Sequence, residues 1–257
     1  MGFLSEVVER VRSDLRRAPL DESSLLARAM HRPPTRGFEE ALRLAEPPAI
    51  VAEIKRASPS AGSIAETEPA SQARAYEAGG AVALSVLTEP HHFDGSLADL
   101  RAARAATRLP VLRKDFLIHP AQLIEARAEG ADAVLLIAAA LSDAELTAMV
   151  ATGRDLGLGL LLETHTENDL ERALASDALV IGVNARDLET LEVDLERALR
   201  LVRRVPPDRL ALLESGISTR EHVERALEAG VRALLVGEAL MRAADPAGAI
   251  RELRGAA

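Results

Sequence analysis

The sequence of 257 residues contains no cysteine and no tryptophan. Without cysteine the protein has no disulfide bond, no thiolate nucleophile and no sulfur ligand for a metal ion. A metal site would therefore need histidine and carboxylate ligands. The six histidines include no pair with three residues between them, which is the spacing that places two ligands on one face of a helix. We therefore expect no metal site.

Aromatic residues are few, and basic residues are outnumbered by acidic ones. The chain has one tyrosine and four phenylalanines, and its 31 lysines and arginines against 40 aspartates and glutamates give a formal net charge of -9. Few rings are available to stack on bases, so nucleic acid is not an expected partner. No apolar run approaches the length of a membrane span, and charges interrupt the first 17 residues. We expect a cytoplasmic protein that does not bind membranes.

What the chain does contain is a regular series of apolar runs. Eight of them predict strands, beginning at Ala49, Ala81, Pro110, Ala133, Leu158, Leu179, Arg209 and Ala233. Helix signals lie between them, such as the capping box from Ser142 to Glu145 and Gly230 after a predicted helix. Eight strands with a helix after each predict a (β/α)8 TIM barrel of the α/β class. The alternative, a doubly wound open sheet, gives no reason for eight units.

Residues 1–48 precede the first predicted strand and are interpreted as an N-terminal helical extension. The sequence favours helices over residues 4–17 and 23–30, and the pairs Pro33-Pro34 and Pro47-Pro48 break the helical pattern. Two roles stay open: the extension covers one mouth of the barrel, or it only stabilises the barrel. With no sign of a second domain, we predict one barrel domain over residues 1–257, with the extension packed on it.

Polar side chains follow the apolar runs where the strands are predicted to end. Glu53 and Lys55 lie two residues apart and therefore point to the same face of the first strand. Four further strands end in polar residues, which are Arg113, Lys114 and Asp115; Glu163; Asn184 and Arg186; and Glu214 and Ser215. A single residue of this kind is usually a solvated rim residue. Five strands of eight ending this way predict a site at the carboxyl ends of the strands.

The last two strands end in Ser215-Gly216 and Gly237-Glu238. Small residues allow backbone N–H groups to approach a ligand closely, and this part of a (β/α)8 barrel commonly binds phosphate. The alternative is that both glycines only make tight turns. Either glycine alone is weak evidence, but the two together predict a phosphate site.

Several segments resemble the indole-3-glycerol phosphate synthase family from the first strand onward. They are IVAEIKRASPSAG, SVLTEPHHFDGS, PVLRKDFLI, DAVLLIAAALSD, LLETHTE, IGVNARDLETLEVD, LLESGI and LLVGEALMR. The first and sixth are highly specific, whereas the last two also occur in other phosphate-binding barrels. The resemblance implies an anilino-ribulose phosphate substrate, 1-(2-carboxyphenylamino)-1-deoxyribulose 5-phosphate. This compound is closed to an indole with loss of CO2 and water in tryptophan biosynthesis.

The resemblance also implies roles for the site residues. The catalytic residues are Lys114 as general acid of ring closure, Glu163 as acid or base of the dehydration, Glu53 and Asn184 as its assistants, and Lys55. The phosphate is bound by Ser215, Gly216, Gly237 and the backbone of Glu238. Lys55, Ser58 and Arg186 bind anionic groups, and Glu214 is an orienting carboxylate. Phe93 and Phe116 contact the aromatic ring. For both phenylalanines an ordinary core role is the alternative.

Two points about the lysines stay open at this stage. The sequence does not decide whether Lys55 or Lys114 donates the proton, and Lys114 could instead only pair with Asp115. A lysine acid works better near neutral pH when its pKa is lowered. Burial, or neighbouring cations such as Lys55 and Arg113, would lower the pKa of Lys114 in this way.

The chain departs slightly from the family pattern, and two other functions compete. Ala61 stands where many members have lysine, so no contact from that position to the substrate is expected. A phosphoribosylanthranilate isomerase, or another sugar-phosphate isomerase, is disfavoured by the segment at residues 53–59 and by Lys114. A barrel that binds phosphate without catalysis is disfavoured by the intact set of ionisable residues. We expect a monomeric enzyme that needs no cofactor.

Overall fold

The computed structural model describes residues 2–255, and within them eight parallel strands form a closed barrel. The strands are β1 (Ala49–Ile54), β2 (Ala83–Leu87), β3 (Val111–Lys114), β4 (Ala133–Ile137), β5 (Gly159–Thr164), β6 (Val180–Asn184), β7 (Leu210–Glu214) and β8 (Ala233–Val236). Each strand pairs with the next, and β8 pairs with β1, where Ala49 lies opposite Ala233. The predicted TIM barrel is confirmed. Met1, Ala256 and Ala257, which the predicted domain includes, lie outside the described residues.

Three helices precede the barrel: α1 (Phe3–Arg17), α2 (Glu22–Met30) and α3 (Phe38–Leu44). Helix α1 lies at the carboxyl mouth of the barrel, where the backbone N–H of Leu4 donates to the carbonyl oxygen of Leu188 at 3.1 Å. Helix α3 lies at the opposite mouth, where Glu39 accepts a hydrogen bond from the backbone N–H of Leu160 near the start of β5. The extension therefore contacts both mouths, and only α1 borders the carboxyl ends of the strands.

The remaining helices alternate with the strands and cover the outside of the barrel. They are α4 (Pro69–Ala78), α5 (Leu97–Ala106), α6 (Pro120–Glu129), α7 (Asp143–Asp155), α8 (Glu167–Leu174), α9 (Leu195–Val202), α10 (Arg220–Glu228), α11 (Glu238–Met241) and α12 (Pro246–Arg254). The predicted capping box at α7 is present, since Ser142 and Glu145 bond each other's backbone N–H groups. Such caps satisfy N–H groups that have no partner inside the helix.

Two strands end earlier than the apolar runs suggest. The run from Ala133 continues to residue 140, but β4 ends at Ile137 and a turn of 3-10 helix covers Ala138–Ala140. Alanine has low strand propensity, and a tight helical turn accommodates three in succession. The predicted run from Ala233 continues past residue 236, but β8 ends at Val236, because Gly237 is the N-cap of the short helix α11. Both endings bring the chain to the carboxyl mouth sooner than predicted.

The interior of the barrel is apolar over most of its length. All residues of β4 and β8 are buried, as are those of β7, which fits the continuous apolar runs of strands covered by helices on the outside. Ionisable side chains enter this interior near the carboxyl ends, where Glu53, Glu163 and Glu214 are each at most 2% exposed. Within residues 2–255, no helix has both the length and the apolar composition that crossing a membrane requires.

Candidate active site

A cavity of about 440 Å³ opens at the carboxyl mouth of the barrel. All the residues predicted for the site line it, namely Glu53, Lys55, Ser58, Phe93, Lys114, Phe116, Glu163, Asn184, Arg186, Glu214, Ser215, Gly216, Gly237 and Glu238. They come from seven of the eight strands or the loops that follow them, and parallel strands bring their carboxyl ends to one mouth. The predicted convergence of these side chains is therefore present. Lining the cavity does not by itself assign a catalytic role to any of these residues.

Lys114 stands at the centre of the ionisable side chains. Its Nζ donates hydrogen bonds to Oε2 of Glu163 at 3.2 Å and to Oε2 of Glu214 at 2.9 Å. The last residue of β3 thus meets carboxylates from β5 and β7 across the barrel. Asp115, the alternative partner considered for Lys114, instead bonds Thr88 and Arg113. The ammonium group therefore faces the cavity between two buried carboxylates.

A second ion pair lies on the neighbouring wall. Nζ of Lys55 lies 2.7 Å from Oε1 of Glu53, as the two-residue spacing predicts for one face of a strand. The other carboxylate oxygen of Glu53 has no hydrogen-bond partner among residues 2–255. That oxygen is a buried acceptor whose capacity for a hydrogen bond is unused.

Asn184 links Glu163 to the loop after β6. Its Nδ2 donates to Oε1 of Glu163 at 3.0 Å, and its Oδ1 accepts from the backbone N–H of Arg186 at 3.0 Å. The guanidinium of Arg186 donates in turn to the carbonyl oxygen of Leu191 at 2.8 Å. The side-chain amide therefore fixes both the orientation of Glu163 and the path of the backbone that carries Arg186.

Lys55 and Lys114 are the only lysines in the sequence, and the other members of the 31 basic residues are arginines. Arginine keeps its proton at any pH at which a protein is folded, whereas lysine can give its proton up. Both lysine side chains, which can transfer a proton to a substrate, are thus located at this cavity.

The pKa of Lys114 is raised, whereas a lowered value would suit a lysine acid near neutral pH. Burial does lower the pKa of this ammonium, but the charges of Glu214, Glu163 and Glu53 outweigh burial and raise the pKa well above its ordinary value. Arg113, expected beside Lys114, is its neighbour in β3 and so points to the opposite face of the sheet. There it bonds Asp115 and Glu125. Lys114 is therefore held as an ammonium group.

Glu163 and Glu214, which both accept a hydrogen bond from Lys114, differ in pKa. Burial raises the pKa of both. For Glu163, the charges of Lys114 and His165 outweigh burial, and the pKa lies well below its ordinary range. For Glu214, burial and the negative charge of Glu163 raise the pKa to about 8, against the opposing effect of Lys114. At neutral pH the empty site therefore has an ionised Glu163 and a protonated Glu214.

Replacing Glu214 with glutamine should remove a pH dependence of the folding stability. The folded protein keeps a proton on Glu214 up to the pKa of about 8, whereas the unfolded chain releases it near 4.5. The stability contributed by this group therefore declines as the pH rises between these two values. We expect the melting temperature of Glu214→Gln to exceed that of the wild type by about 3 °C or more at pH 8, with little difference at pH 5. If thermal unfolding gave the same difference in melting temperature at pH 5 and at pH 8, the raised pKa of Glu214 would be contradicted.

Glu53, Lys55, Lys114, Glu163 and Glu214 together form an ion cluster. The predicted phosphate-binding turns lie next to it. Ser215 and Gly216 both have left-handed backbone conformations, with φ angles of 64° and 76°. Such a conformation is unusual for serine and is a local strain of the kind found at binding sites. Gly237 is buried against Glu53, since a Cβ atom there would lie 2.3 Å from Oε1 of that residue. The side chain of Glu238 pairs with Arg242, so its backbone N–H, not its carboxylate, remains for binding.

Apolar side chains form the opposite wall. The rings of Phe93 and Phe116 lie 6.3 Å apart between centroids, and the ring of Phe3 from α1 lies 6.0 Å from Phe116. Phe3 lines the cavity, together with Leu188 and Leu191 from the loop after β6. The sequence analysis did not find these three residues, because nothing in their local pattern ties α1 or that loop to the mouth.

Gly182 is a further position that the sequence analysis missed. It lies in β6 with its α-carbon facing Glu214, so a Cβ atom would lie 2.5 Å from Oε1 of Glu214 and 3.0 Å from Leu161. We expect Gly182→Ala to displace the carboxylate from Lys114 and to lower kcat/KM about tenfold, the effect of overpacking by one methyl group. Steady-state kinetics test this. Unchanged kinetics would show that Glu214 can move without consequence.

The barrel and its buried ion cluster define a (β/α)8-barrel enzyme. Within that class, the family model for indole-3-glycerol phosphate synthase matches residues 4–253. The chain is 47% identical over 263 residues to the indole-3-glycerol phosphate synthase of Micrococcus luteus, covering 100% of this chain and 98% of that protein. It is also 47% identical over 258 residues to that of a Nocardioides species, covering 99% of each. The chain therefore belongs to the indole-3-glycerol phosphate synthase family.

The family assignment confirms the predicted activity. The chain is a carboxy-lyase of tryptophan biosynthesis, as the resemblance of its segments implied. Among solved structures, thiamine phosphate pyrophosphorylase from Pyrococcus furiosus is similar with a TM-score of 0.61. It is 19% identical, and the match covers 85% of this chain and 96% of that one. At this identity the likeness supports the fold alone.

Proposed function

We propose that the ion cluster at the carboxyl mouth closes 1-(2-carboxyphenylamino)-1-deoxyribulose 5-phosphate to indole-3-glycerol phosphate, with Lys114 and Glu163 as the two groups that transfer protons. The observation that carries this proposal is the position of the Lys114 ammonium, which faces the cavity between Glu163 and Glu214 at 3.2 and 2.9 Å. Two acid–base groups with pKa values shifted in opposite directions are typical of a proton-transferring site.

The binding of the substrate follows from its three recognition groups. The phosphate binds at the turns of Ser215, Gly216, Gly237 and Glu238 through backbone N–H groups and the serine hydroxyl. Lys55, Ser58 and Arg186 bind the remaining anionic and polar groups, and Arg186 suits a carboxylate because its planar fork can pair with two oxygens. The aromatic ring packs on Phe93 and Phe116, whose rings border the cavity.

For ring closure, Lys114 donates a proton to the ketone oxygen as the aryl carbon attacks the carbonyl carbon. A cation beside that oxygen also stabilises the negative charge that develops on it. The raised pKa of Lys114 makes it a weaker acid than a free lysine, so its contribution is the positive charge and the proton that it holds beside the ketone oxygen. Lys55 stays in contact with Glu53 at 2.7 Å and acts in binding. Loss of CO2 then restores the aromatic ring of the aniline part.

For the dehydration, a hydroxyl group leaves and a proton must be removed to complete the indole. Glu163 is the base, because its low pKa keeps it ionised and Asn184 fixes its orientation. Glu53 assists through its unbonded carboxylate oxygen. Glu214 bonds the Lys114 ammonium and orients it. Each of these groups lines the same cavity.

One assay tests the whole proposal. The purified protein is given the anilino-ribulose phosphate, and indole fluorescence and released CO2 are both followed. We expect one equivalent of each per substrate consumed. An isomerase would leave this substrate unchanged, and a barrel without catalysis would bind it with no release of CO2. Either result would overturn the proposal.

We further infer that the chain acts as one barrel domain, as a monomer and in the cytoplasm. The contacts of α1 and α3 with opposite mouths support one domain that includes the extension. The absence of cysteine from the sequence is compatible with a reducing compartment. Light scattering in solution should give a mass near 27.4 kDa. A mass of twice that value would contradict the monomer.

A further inference from the structure

His165 is buried beside Glu163 and is not among the residues that line the cavity. It follows Thr164, the last residue of β5, and being two residues after Glu163 it projects to the same face. Its side chain is 7% exposed and does not belong to the lining of the cavity. Nε2 of the imidazole lies 3.1 Å from Oε1 of Glu163. A buried histidine is thus in contact with a carboxylate of the site, without access to a substrate.

The contact between His165 and Glu163 is ionic in geometry. Although the two atoms are 3.1 Å apart, Nε2 of His165 makes no aligned hydrogen bond to any atom of the described residues. Oε1 of Glu163 already accepts a hydrogen bond from Asn184 at 3.0 Å. A contact of this kind depends on the charge of the imidazole more than on the direction of its N–H group.

The charges of the cluster indicate what His165 supplies. Three carboxylates, those of Glu53, Glu163 and Glu214, are each at most 2% exposed. The lysines contribute two ammonium groups. Glu214 keeps its proton at neutral pH, so the buried negative charges are those of Glu53 and Glu163, and a buried charge without support is costly. His165 is a second titratable cation in direct contact with Glu163, beside Lys114.

We propose that His165 is a positioning residue which, as an imidazolium, supports the negative charge of Glu163 and holds Glu163 ionised and correctly oriented for the dehydration. The inference rests on the proposed function of Glu163. It deepens that function by making the base depend on a histidine that never contacts the substrate. A neutral imidazole at the same place would leave Glu163 with less support for its negative charge.

The surroundings of His165 favour the charged form. Burial lowers the pKa of the imidazole, but Glu163 at 3.1 Å outweighs burial and raises it above its ordinary value. Glu214 from β7 and Asp169 from α8 add to this increase. From α9, Arg197 donates a hydrogen bond to the carbonyl oxygen of His165. The imidazolium is therefore present below the raised pKa and is lost as the pH rises through it.

Two measurements on the whole protein test the proposal. The first follows the titration of His165 by NMR of 15N-labelled histidine in the wild type and in Glu163→Gln, with the signal assigned by its loss in His165→Gln. We expect a pKa above about 6.5, the ordinary value for histidine, and a lower value once the negative charge of Glu163 is removed. A pKa at or below the ordinary value, or one that Glu163→Gln leaves unchanged, would overturn the proposal.

The second measurement is the pH dependence of kcat for indole formation. We expect the wild-type rate to decline on the alkaline side with the midpoint that NMR gives for His165. His165→Gln should lower kcat about tenfold at pH 7, as expected for a lost charged contact, with a smaller change in KM and no decline at that midpoint. His31 is an exposed histidine directly after the last residue of α2, so His31→Gln serves as the matched control and should behave as the wild type.

The two measurements separate this inference from the proposed function. If His165→Gln kept the wild-type kcat and pH profile, the role of His165 would be excluded while the function of the site would stand. If the wild type formed no indole, the proposed function would fail, and with it the role in dehydration. The NMR titration would then still decide whether His165 and Glu163 share a charge interaction.

Discussion

Replacing Lys114 with alanine should lower turnover by about 10²-fold or more, the effect of losing a general acid. The variant loses the ammonium that faces the cavity between Glu163 and Glu214. Ring closure then has no proton donor at the ketone and no cation to stabilise its developing charge. Steady-state indole formation at saturating substrate measures the effect, because the loss should appear in kcat more than in KM.

The fold of the variant needs a separate measurement, because removing one partner of a buried ion pair is destabilising. Lys114→Gln is the companion variant, since its amide can still bond one carboxylate while it cannot act as an acid. We expect both variants to keep the circular dichroism of a folded barrel and to share the loss of turnover. Folded variants with near-normal turnover would remove Lys114 from the role of general acid.

The small number of lysines allows the proton donor to be identified directly. With lysine labelled by 13C at Cε, the wild type should give two side-chain signals, and Lys114→Ala should leave one, which assigns both. We expect the Lys114 signal to remain that of an ammonium group as the pH rises, because the carboxylates around it raise its pKa. Lys55→Gln should mainly raise KM. A larger fall in kcat for Lys55→Gln than for Lys114→Gln would transfer the acid role to Lys55.

Much of the barrel could be predicted because its strands are continuous apolar runs with clear ends. The alternation of strands and helices led to the closed eight-stranded topology, and the position of polar residues led to the correct mouth. The ends of β4 and β8 could not be placed as well, since alanine runs and the segment from Gly237 remain apolar after the strand has ended. Apolar character alone does not distinguish the last residues of a strand from a following buried turn.

The electrostatics of Lys114 could not be predicted from its own neighbourhood. The residues beside it in the sequence, Arg113 and Asp115, point to the other face, as the two-residue repeat of a strand dictates. The carboxylates that raise its pKa are 49 and 100 residues away along the chain. His165 was missed for a related reason, since a histidine after a strand has no signature until its distance to Glu163 is known.

Replacing Glu163 with glutamine should stall the reaction after ring closure. Glutamine keeps the size of the side chain, and its carbonyl oxygen can still accept a hydrogen bond from Asn184 or from Lys114, but it cannot take up a proton. Ring closure and loss of CO2 should therefore proceed once in each active site, while indole formation falls by about 10²-fold or more. A substrate labelled in its carboxylate, mixed rapidly with excess enzyme, should release its label ahead of any indole fluorescence.

Glu171→Gln provides the matched control, because this glutamate carries the same chemical group on the exposed surface of α8, where it pairs with Arg204. Its label release and indole formation should keep the wild-type order and rates. Two outcomes for Glu163→Gln would contradict the assignment. Indole formation at the wild-type rate would exclude Glu163 from the dehydration. Equal loss of CO2 release and indole formation would place its action at ring closure, because the chemistry would then stop before the carboxylate leaves.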